Sequence, residues 1–321
     1  MTHMRVNDLR AYYTVEQNGL PKNIRAVDGV SFEIEEHDFL AIVGESGCGK
    51  TTLAKVLYGA LDPVLSIVSG SVHYAFDDSE FEISPVQNTL PKAWWKKISY
   101  IPQGSLSALN PIRKVGQIFR DLLSSHNVPF EIKDVENHLK LVNLSEQVLG
   151  MYPFELSGGM KQRVVMALAT FLNPRMIIAD EPTSALDVVT QRDILWLLSF
   201  LHLSKQISFV FITHDISLIP GLASSVAVMY CGCIVEYGPV DEVFSKPLHP
   251  YTKFLLSSIP RIGDKTEKKP IPGAVVSLIN PPSGCRFHSR CPNKTDTCEN
   301  SRPNMIKVGS GRHEVACWLY K

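Results

Sequence analysis

Short apolar runs without polar alternation recur along the chain: FLAIV (39–43), MIIAD (176–180) and ISFVFIT (207–213). Their length and their β-branched and aromatic content are those of strands buried on both faces. Helical patterns follow the first two, over 49–59 and over 187–203, the latter with Asp187 placed as an N-cap. This alternation predicts an α/β sheet. Between Asn110 and Pro174 the pattern changes to helix after helix: VGQIFRDLL and EIKDVENHLKLV repeat apolar residues at helical spacing, and MKQRVVMALATFL sets Met160, Val164, Leu168, Phe171 and Leu172 along one stripe. An α-helical subdomain, about 105–173, is therefore expected as an insertion in the α/β core.

The uncharged segment Ile216–Val235 is long enough to suggest a membrane span, but Pro220, Gly221, Ser224, Ser225 and Gly232 interrupt it. It is read as a helix followed by two short buried strands around Gly232. GDKTEKKPIPG (263–273) marks a boundary, and seven of the 21 prolines lie beyond Ser258. The expected division is a main domain, 1–258, and a small loop-rich extension, 259–321, too poor in apolar residues to build a large core.

Composition narrows this picture. The 321 residues are 45% hydrophobic, and Lys+Arg and Asp+Glu both total 32, so no basic excess points to nucleic acid. The first forty residues carry scattered charges and no apolar core of signal-peptide length, which suggests the cytosol. A reducing compartment weighs against disulfides for the seven cysteines. Four of them, Cys285, Cys291, Cys298 and Cys317, fall in the proline-rich extension, and four thiolates suit tetrahedral zinc or an iron–sulfur cluster equally, with unligated thiols as the third option. Cys231 and Cys233 are expected to alternate along one strand and point to opposite faces, which makes them poor joint ligands.

Three motifs carry candidate chemistry. GESGCGKTT, residues 44–52, follows the strand FLAIV and opens a helix, matching the phosphate-loop pattern through Gly44, Gly49, Lys50 and Thr51. In such a loop backbone N–H groups curl around a polyphosphate at the positive end of a helix dipole; Lys50 neutralises the β- and γ-phosphates, and Thr51 offers a hydroxyl to Mg²⁺. Alone this marks only a nucleotide binder. In MIIADEP, a buried strand ends in Asp180, which can hold Mg²⁺, and Glu181, which can polarise a water in line with the γ-phosphate; taken singly, such a pair is as readily a solvated loop. In LSGGMKQR, Ser157 can N-cap a helix beginning near Met160, while Gly158 and Gly159 let amides approach phosphate. An ordinary capped helix start would read the same way.

Taken together, and in this order, these stretches resemble the ATP-binding subunits of ABC transporters over about residues 6–258. Leu156, Ser157, Gly158, Gly159 and Met160 match the signature motif, Gln103 in SYIPQGS the Q-loop, Ser184 to Asp187 the D-loop, and His214 in FITHD the switch histidine. The resemblance implies a P-loop NTPase nucleotide-binding domain with an inserted α-helical subdomain, an antiparallel β subdomain and a C-terminal Cys-rich extension. It implies ATP at Gly44, Glu45, Ser46, Gly47, Cys48, Gly49, Lys50, Thr51, Thr52 and Gln103, with Tyr13, rather than Tyr12, stacking on adenine. Mg²⁺ would be held by Thr51, Gln103 and Asp180, with Glu181 and His214 catalytic. Ser157, Gly158, Gly159, Met160 and Asp187 would serve the nucleotide of a second ATPase subunit, head to tail, a related but distinct chain with a homodimer as the alternative.

Gly104 stands where the family often has an acidic residue, and Met160 replaces a glutamine; neither removes a group that touches phosphate. HPYTKFLLSSIP (249–260) and IPGAVVSLINPPSGCRFHSRCP (271–292) resemble the C-terminal region of oligopeptide/dipeptide importer ATPases, some of which hold a [4Fe–4S] cluster on four such cysteines. That resemblance favours the cluster over zinc, in a structural role. It also implies two transmembrane permease subunits as partners, a solute-binding protein indirectly, a place at the cytoplasmic face of the membrane, and peptide cargo, with nickel or oligosaccharides as alternatives. A soluble ABC-type protein acting on nucleic acid or ribosomes is the competing class, and a regulatory ATP-binding module without turnover is the third reading.

Overall fold

The computed structural model describes residues 2–17, 19–88, 93–104, 107–184, 186–259, 271–309 and 311–321. Residues 263–270 of the expected linker, Ser105 of the Q-loop stretch and Ala185 of the D-loop lie outside the described residues. In chain order the elements are β1 (Thr2–Gln17), β2 (Leu20–Glu35), β3 (Phe39–Val43), α1 (Lys50–Tyr58), β4 (Leu65–Phe76), β5 (Ser79–Ile83), β6 (Ile98–Ile101), α2 (Val115–Ser125), α3 (Ile132–Leu141) and α4 (Gly158–Phe171). There follow β7 (Met176–Asp180), α5 (Val188–Lys205), β8 (Ser208–Thr213), β9 (Ser225–Tyr230), β10 (Cys233–Pro239), α6 (Val240–Ser245), α7 (Pro250–Ser257), α8 (Asp296–Asn300), β11 (Ile306–Lys307) and β12 (Glu314–Val315). They form two compact units, Met1–Leu90 with Val210–Lys321, and Pro91–Phe209.

The first unit contains an antiparallel sheet in the order β2-β1-β4-β5. The second half of β2 alternates, with Val30, Phe32 and Ile34 buried and Glu33 and Glu35 exposed, so one face meets the core and the other water. A second sheet runs β11-β12-β10-β9-β3, with β3 and β9 parallel from Leu40↔Ser225 to Val43↔Val228. Every residue of β3 is buried, as its unbroken apolar run requires.

Segment 216–235 holds only a single 3-10 turn, Ile216–Leu218, before β9 and β10, so the expected helix is much shorter. Cys231 is not in a strand. It and Gly232 form the turn between β9 and β10, with φ of 45° and 80°, the left-handed pair that a tight hairpin needs. Among the described residues no helix is long and apolar enough to cross a membrane.

Residues 271–321 pack within this unit. Their strand β12 pairs antiparallel with β10, Glu236↔Val315 and Tyr237↔Glu314, and covers what would be a sheet edge. Phe287, fully buried, meets Tyr230 edge-on at 5.2 Å between ring centroids, and Tyr251 and His249 at 5.5 and 5.7 Å. Asp28, also buried, binds the Tyr12 hydroxyl at 2.6 Å and pairs with Arg286 and Arg302 of the C-terminal segment. Glu236, wholly buried, accepts from the backbone N–H of Leu248 and His249 at 2.7 and 2.8 Å and is paired with His313 Nε2 at 2.7 Å. A segment lacking a core of its own is thus held by ionic and aromatic anchors on a larger one.

The second unit places β6 parallel to β7, Ile98↔Met176 to Ile101↔Ala179, with α2 to α5. Helix α4 is buried from Val164 to Thr170 without interruption, not along one stripe, and Gln162 is buried too. A helix apolar all round is one enclosed on every side.

Candidate nucleotide site

The phosphate loop lies in the first unit, between β3 and α1. Gly49 N-caps α1 with φ +110°, and a Cβ there would come within 1.9 Å of the Ala26 carbonyl oxygen; one on Gly44 would meet Met229 O at 2.1 Å. Only glycine fits either place, and the loop's backbone is thereby free to line an anion site at the helix N-terminus. Lys50 is buried and its Nζ donates to the carbonyls of Gly44 and Glu45 at 2.8 and 3.0 Å, bridging the loop. Ser46 and Gly47 are exposed at its tip, Cys48 is buried beneath it, and burial pushes that thiol's pKa up. Thr51 is half-buried, and Thr52 donates from Oγ1 to the Tyr13 hydroxyl at 3.4 Å. Tyr12, by contrast, is committed to Asp28, and burial together with that hydrogen bond raises its pKa to about 12. Of the two rings, Tyr13 is the one tied to the phosphate-loop helix. His214 is exposed, directly after β8.

The acidic residues lie in the second unit. Asp180, at the end of β7, is fully buried, and Tyr100 donates to its Oδ2 at 3.3 Å. Glu181 takes φ +47°, a left-handed conformation unusual for a glutamate, and its Oε2 accepts from Gln103 Nε2 at 3.2 Å. Strain of this kind concentrates where a side chain must be aimed. Gly104 has φ +69°, a conformation in which the acidic residue common there would be strained.

In the same unit Ser157 N-caps α4, its Oγ accepting from the Met160 N–H at 3.3 Å. The helix begins at Gly158, and a Cβ on Gly159 would meet the Thr190 methyl at 2.8 Å. Asp187 N-caps α5, accepting from the N–H of Val189 and Thr190 at 3.1 and 3.0 Å and from the Thr190 hydroxyl at 2.6 Å, and these bonds, the hydroxyl's first, lower its pKa. The first turn of α4 therefore packs on the turn that Asp187 caps.

Mg²⁺ in a nucleotide site needs only one or two protein oxygens beside phosphate and water, and a buried carboxylate such as Asp180 fits that demand. The four tail cysteines present soft donors, with Cys298 buried and Cys285, Cys291 and Cys317 half-buried. Burial first, then the field of the other three, raises the Cys285 thiol to about 11; burial and then the field of Cys298 push Cys291 up, and burial and then the fields of Cys291 and Cys298 push Cys317 up. The thiols thus lie within one another's field. Among the described residues, however, no group of three or more His, Cys, Asp or Glu side chains is placed to hold a metal ion.

Sequence reasoning did not single out Asp28, Glu236, Tyr251, Arg286 or Arg290. Tyr251, Arg286 and Arg290 sit inside the stretches that carried the tail resemblance, but their partners are some two hundred residues away. Tyr251 accepts from the Glu45 N–H at 2.8 Å, and Arg290 pairs with the Glu45 carboxylate at 2.7 Å.

The architecture is that of a P-loop NTPase. Residues 27–184 match the ABC transporter family model, and residues 235–298 match the model of the oligopeptide/dipeptide transporter C-terminal region. The chain is 44% identical, over 99% of its length and 97% of the relative's, to the dipeptide transport ATP-binding protein DppD of Caldanaerobacter subterraneus subsp. tengcongensis. It is 36% identical, over 98% and 95%, to the oligopeptide transport ATP-binding protein OppF of Escherichia coli. Among solved structures it resembles the ATP-binding cassette MJ0796, a dimer in a post-hydrolysis state with ADP and phosphate, at a TM-score of 0.60 and 25% identity over 74% of this chain and 98% of that one. The chain belongs to the ATP-binding subunits of the ABC transporter family and is an ATPase of that type.

Proposed function

We propose that this chain is the ATP-hydrolysing motor of an importer for dipeptides or oligopeptides, docked peripherally on two membrane-embedded permease subunits at the cytoplasmic face and paired with a second ATPase subunit. The observation that carries this reading is likeness along the whole chain, tail included, to peptide-transport ATP-binding proteins. The phosphate-loop amides and Lys50 bind the polyphosphate, the positive end of α1 adds to their pull, and Tyr13 stacks on the adenine. Thr51, Gln103 and Asp180 would hold Mg²⁺, which when bound draws charge from the phosphate oxygens. Glu181 orients and deprotonates the attacking water, and His214 meets the γ-phosphate. Ser157, Gly158, Gly159, Met160 and Asp187 serve the nucleotide of the neighbouring subunit, so binding closes the pair and hydrolysis opens it.

The same proposal gives Cys285, Cys291, Cys298 and Cys317 a structural [4Fe–4S] cluster. The thiolates of one buried and three half-buried cysteines would repel one another and are stabilised by a cationic core, and a cluster puts each thiolate on a different iron, so it does not need them converged on one ion as zinc does. Iron and acid-labile sulfide in stoichiometric amounts, with a visible absorbance lost in Cys291→Ser, is the expected result; stoichiometric zinc overturns it.

Glu181→Gln tests the motor. ATP binding is retained while turnover falls about 10²–10⁴-fold. Co-purification with integral membrane proteins is expected, and recovery with ribosomes or nucleic acid instead rejects the importer.

A further inference from the structure

We infer that Arg290 is a positioning residue for the phosphate loop: by gripping the Glu45 carboxylate it keeps that negative charge from opposing the bound polyphosphate, so the C-terminal segment sets nucleotide affinity. This rests on the reading of residues 44–52 as the nucleotide site.

Glu45 occupies one of the positions that the phosphate-loop pattern leaves open. It directly follows the first glycine of an anion-binding loop, where an unneutralised carboxylate repels the ligand that the loop amides and Lys50 attract. The structure restrains it at three points. Its N–H donates to the Tyr251 hydroxyl at 2.8 Å, its carbonyl accepts from Lys50 Nζ at 3.0 Å, and its carboxylate takes both arms of Arg290, at 2.7 Å to Oε2 and 3.1 Å to Oε1. Two of the three holders, Tyr251 and Arg290, lie C-terminal to residue 249.

The guanidinium is itself fully engaged. Nε donates to Pro272 O at 2.8 Å, Nη1 also to the Tyr230 hydroxyl at 3.3 Å, and Nη2 also to Ile271 O at 3.4 Å. Five N–H groups thus meet five acceptors, and the side chain is only 4% exposed. A bidentate pair so placed specifies geometry as well as charge, which a lysine cannot reproduce. Arg290 ends a short 3-10 turn that follows directly from the aromatic anchor Phe287, whose carbonyl accepts the Arg290 N–H at 3.0 Å. Val275 and Val276 of the same segment line, with residues 45–48, a cavity of about 10 Å³, so the tail lies against the outer side of the loop. Docking of the tail and the set of the loop are therefore one packing arrangement.

The test is calorimetric binding of the Mg²⁺ complex of a non-hydrolysable ATP analogue, adenylyl imidodiphosphate, to the full-length chain, with thermal melting of every variant. Arg290→Ala is expected to weaken binding about ten- to a hundredfold. Adding Glu45→Gln to that variant removes the stranded charge and restores affinity to within about threefold of the parent. A merely structural arginine would show no such rescue. If Arg290→Ala fails to fold, Arg290→Lys carries the test, since it keeps the charge but loses the fork: weaker binding at an unchanged melting temperature supports the inference. Unaltered affinity in either single variant, or a loss in Arg290→Ala that Glu45→Gln does not recover, overturns it. Lys50→Ala separates the two levels: if it binds like the parent, the nucleotide-site reading falls; if it loses binding while Arg290→Ala does not, only the inference falls.

Discussion

Phe287→Ala removes the main apolar anchor of the C-terminal segment. The ring is fully buried and lies against Tyr230, Tyr251, His249 and Phe254, the last at 6.3 Å. A buried phenylalanine withdraws about 150–250 Å² from water, which at about 25 cal/mol/Å² is about 4–6 kcal/mol. Alanine retains part of this, and measured truncations of this kind cost about 3–5 kcal/mol. Domains are stable by only about 5–15 kcal/mol, so the cheaper response is local release of the segment rather than global unfolding. The assay is limited trypsin digestion with fragments mapped by mass, beside urea denaturation. Cleavage after Arg286 and Arg290, both buried in the intact protein, is expected in Phe287→Ala and not in Phe287→Leu, which keeps most of the volume at a cost below about 1.5 kcal/mol. If Phe287→Ala stays protected and loses less than about 1 kcal/mol, the hub is not what docks the tail.

Glu236→Gln should destabilise by about 3–5 kcal/mol, because an NH₂ must then face one of the donors from Leu248, His249 or His313; a urea midpoint equal to that of the parent refutes the anchor. Acid should also destabilise. Burial holds His249 neutral down to about 3 and His138 to about 4, against 6.5 when unfolded. Below pH 6.5 the unfolded chain binds more protons, so stability falls as pH falls, by up to about 1.4 kcal/mol per unit and histidine, and the loss is complete near pH 3. His249→Asn keeps an acceptor for the Tyr251 N–H, which His249 Nδ1 now takes at 3.0 Å, and should flatten that slope; an unchanged slope counts against the assignment.

What is periodic or short-range in this protein was legible in its sequence. β3 and β7 have the bounds of their apolar runs, since five consecutive buried residues leave a strand no choice of face. Asp187 caps α5 as expected, because a cap is decided within three residues. The same reasoning failed where neighbours on several sides set the environment. Helix α4 is enclosed all round from Val164 to Thr170, so its apolar residues there are not confined to a stripe. Cys231 turned out to lie in a hairpin turn, because the left-handed pair it forms with Gly232 depends on how β9 and β10 meet.

The phosphate-binding, acidic and signature stretches are each contiguous, and their occurrence together in this order carried the resemblance to ABC-transporter ATPases. The tail differed, for its composition indicated only that something outside it must hold it. That Asp28 receives Arg286 and Arg302, that Glu236 gathers two backbone N–H groups and His313, and that Arg290 reaches Glu45 across 245 residues of chain could be read only from the folded structure. Local sequence specifies which backbone conformations are cheap. Which buried charge meets which partner depends on where the whole chain brings its distant segments together, and the cost of leaving such a charge unpaired makes those few contacts decisive.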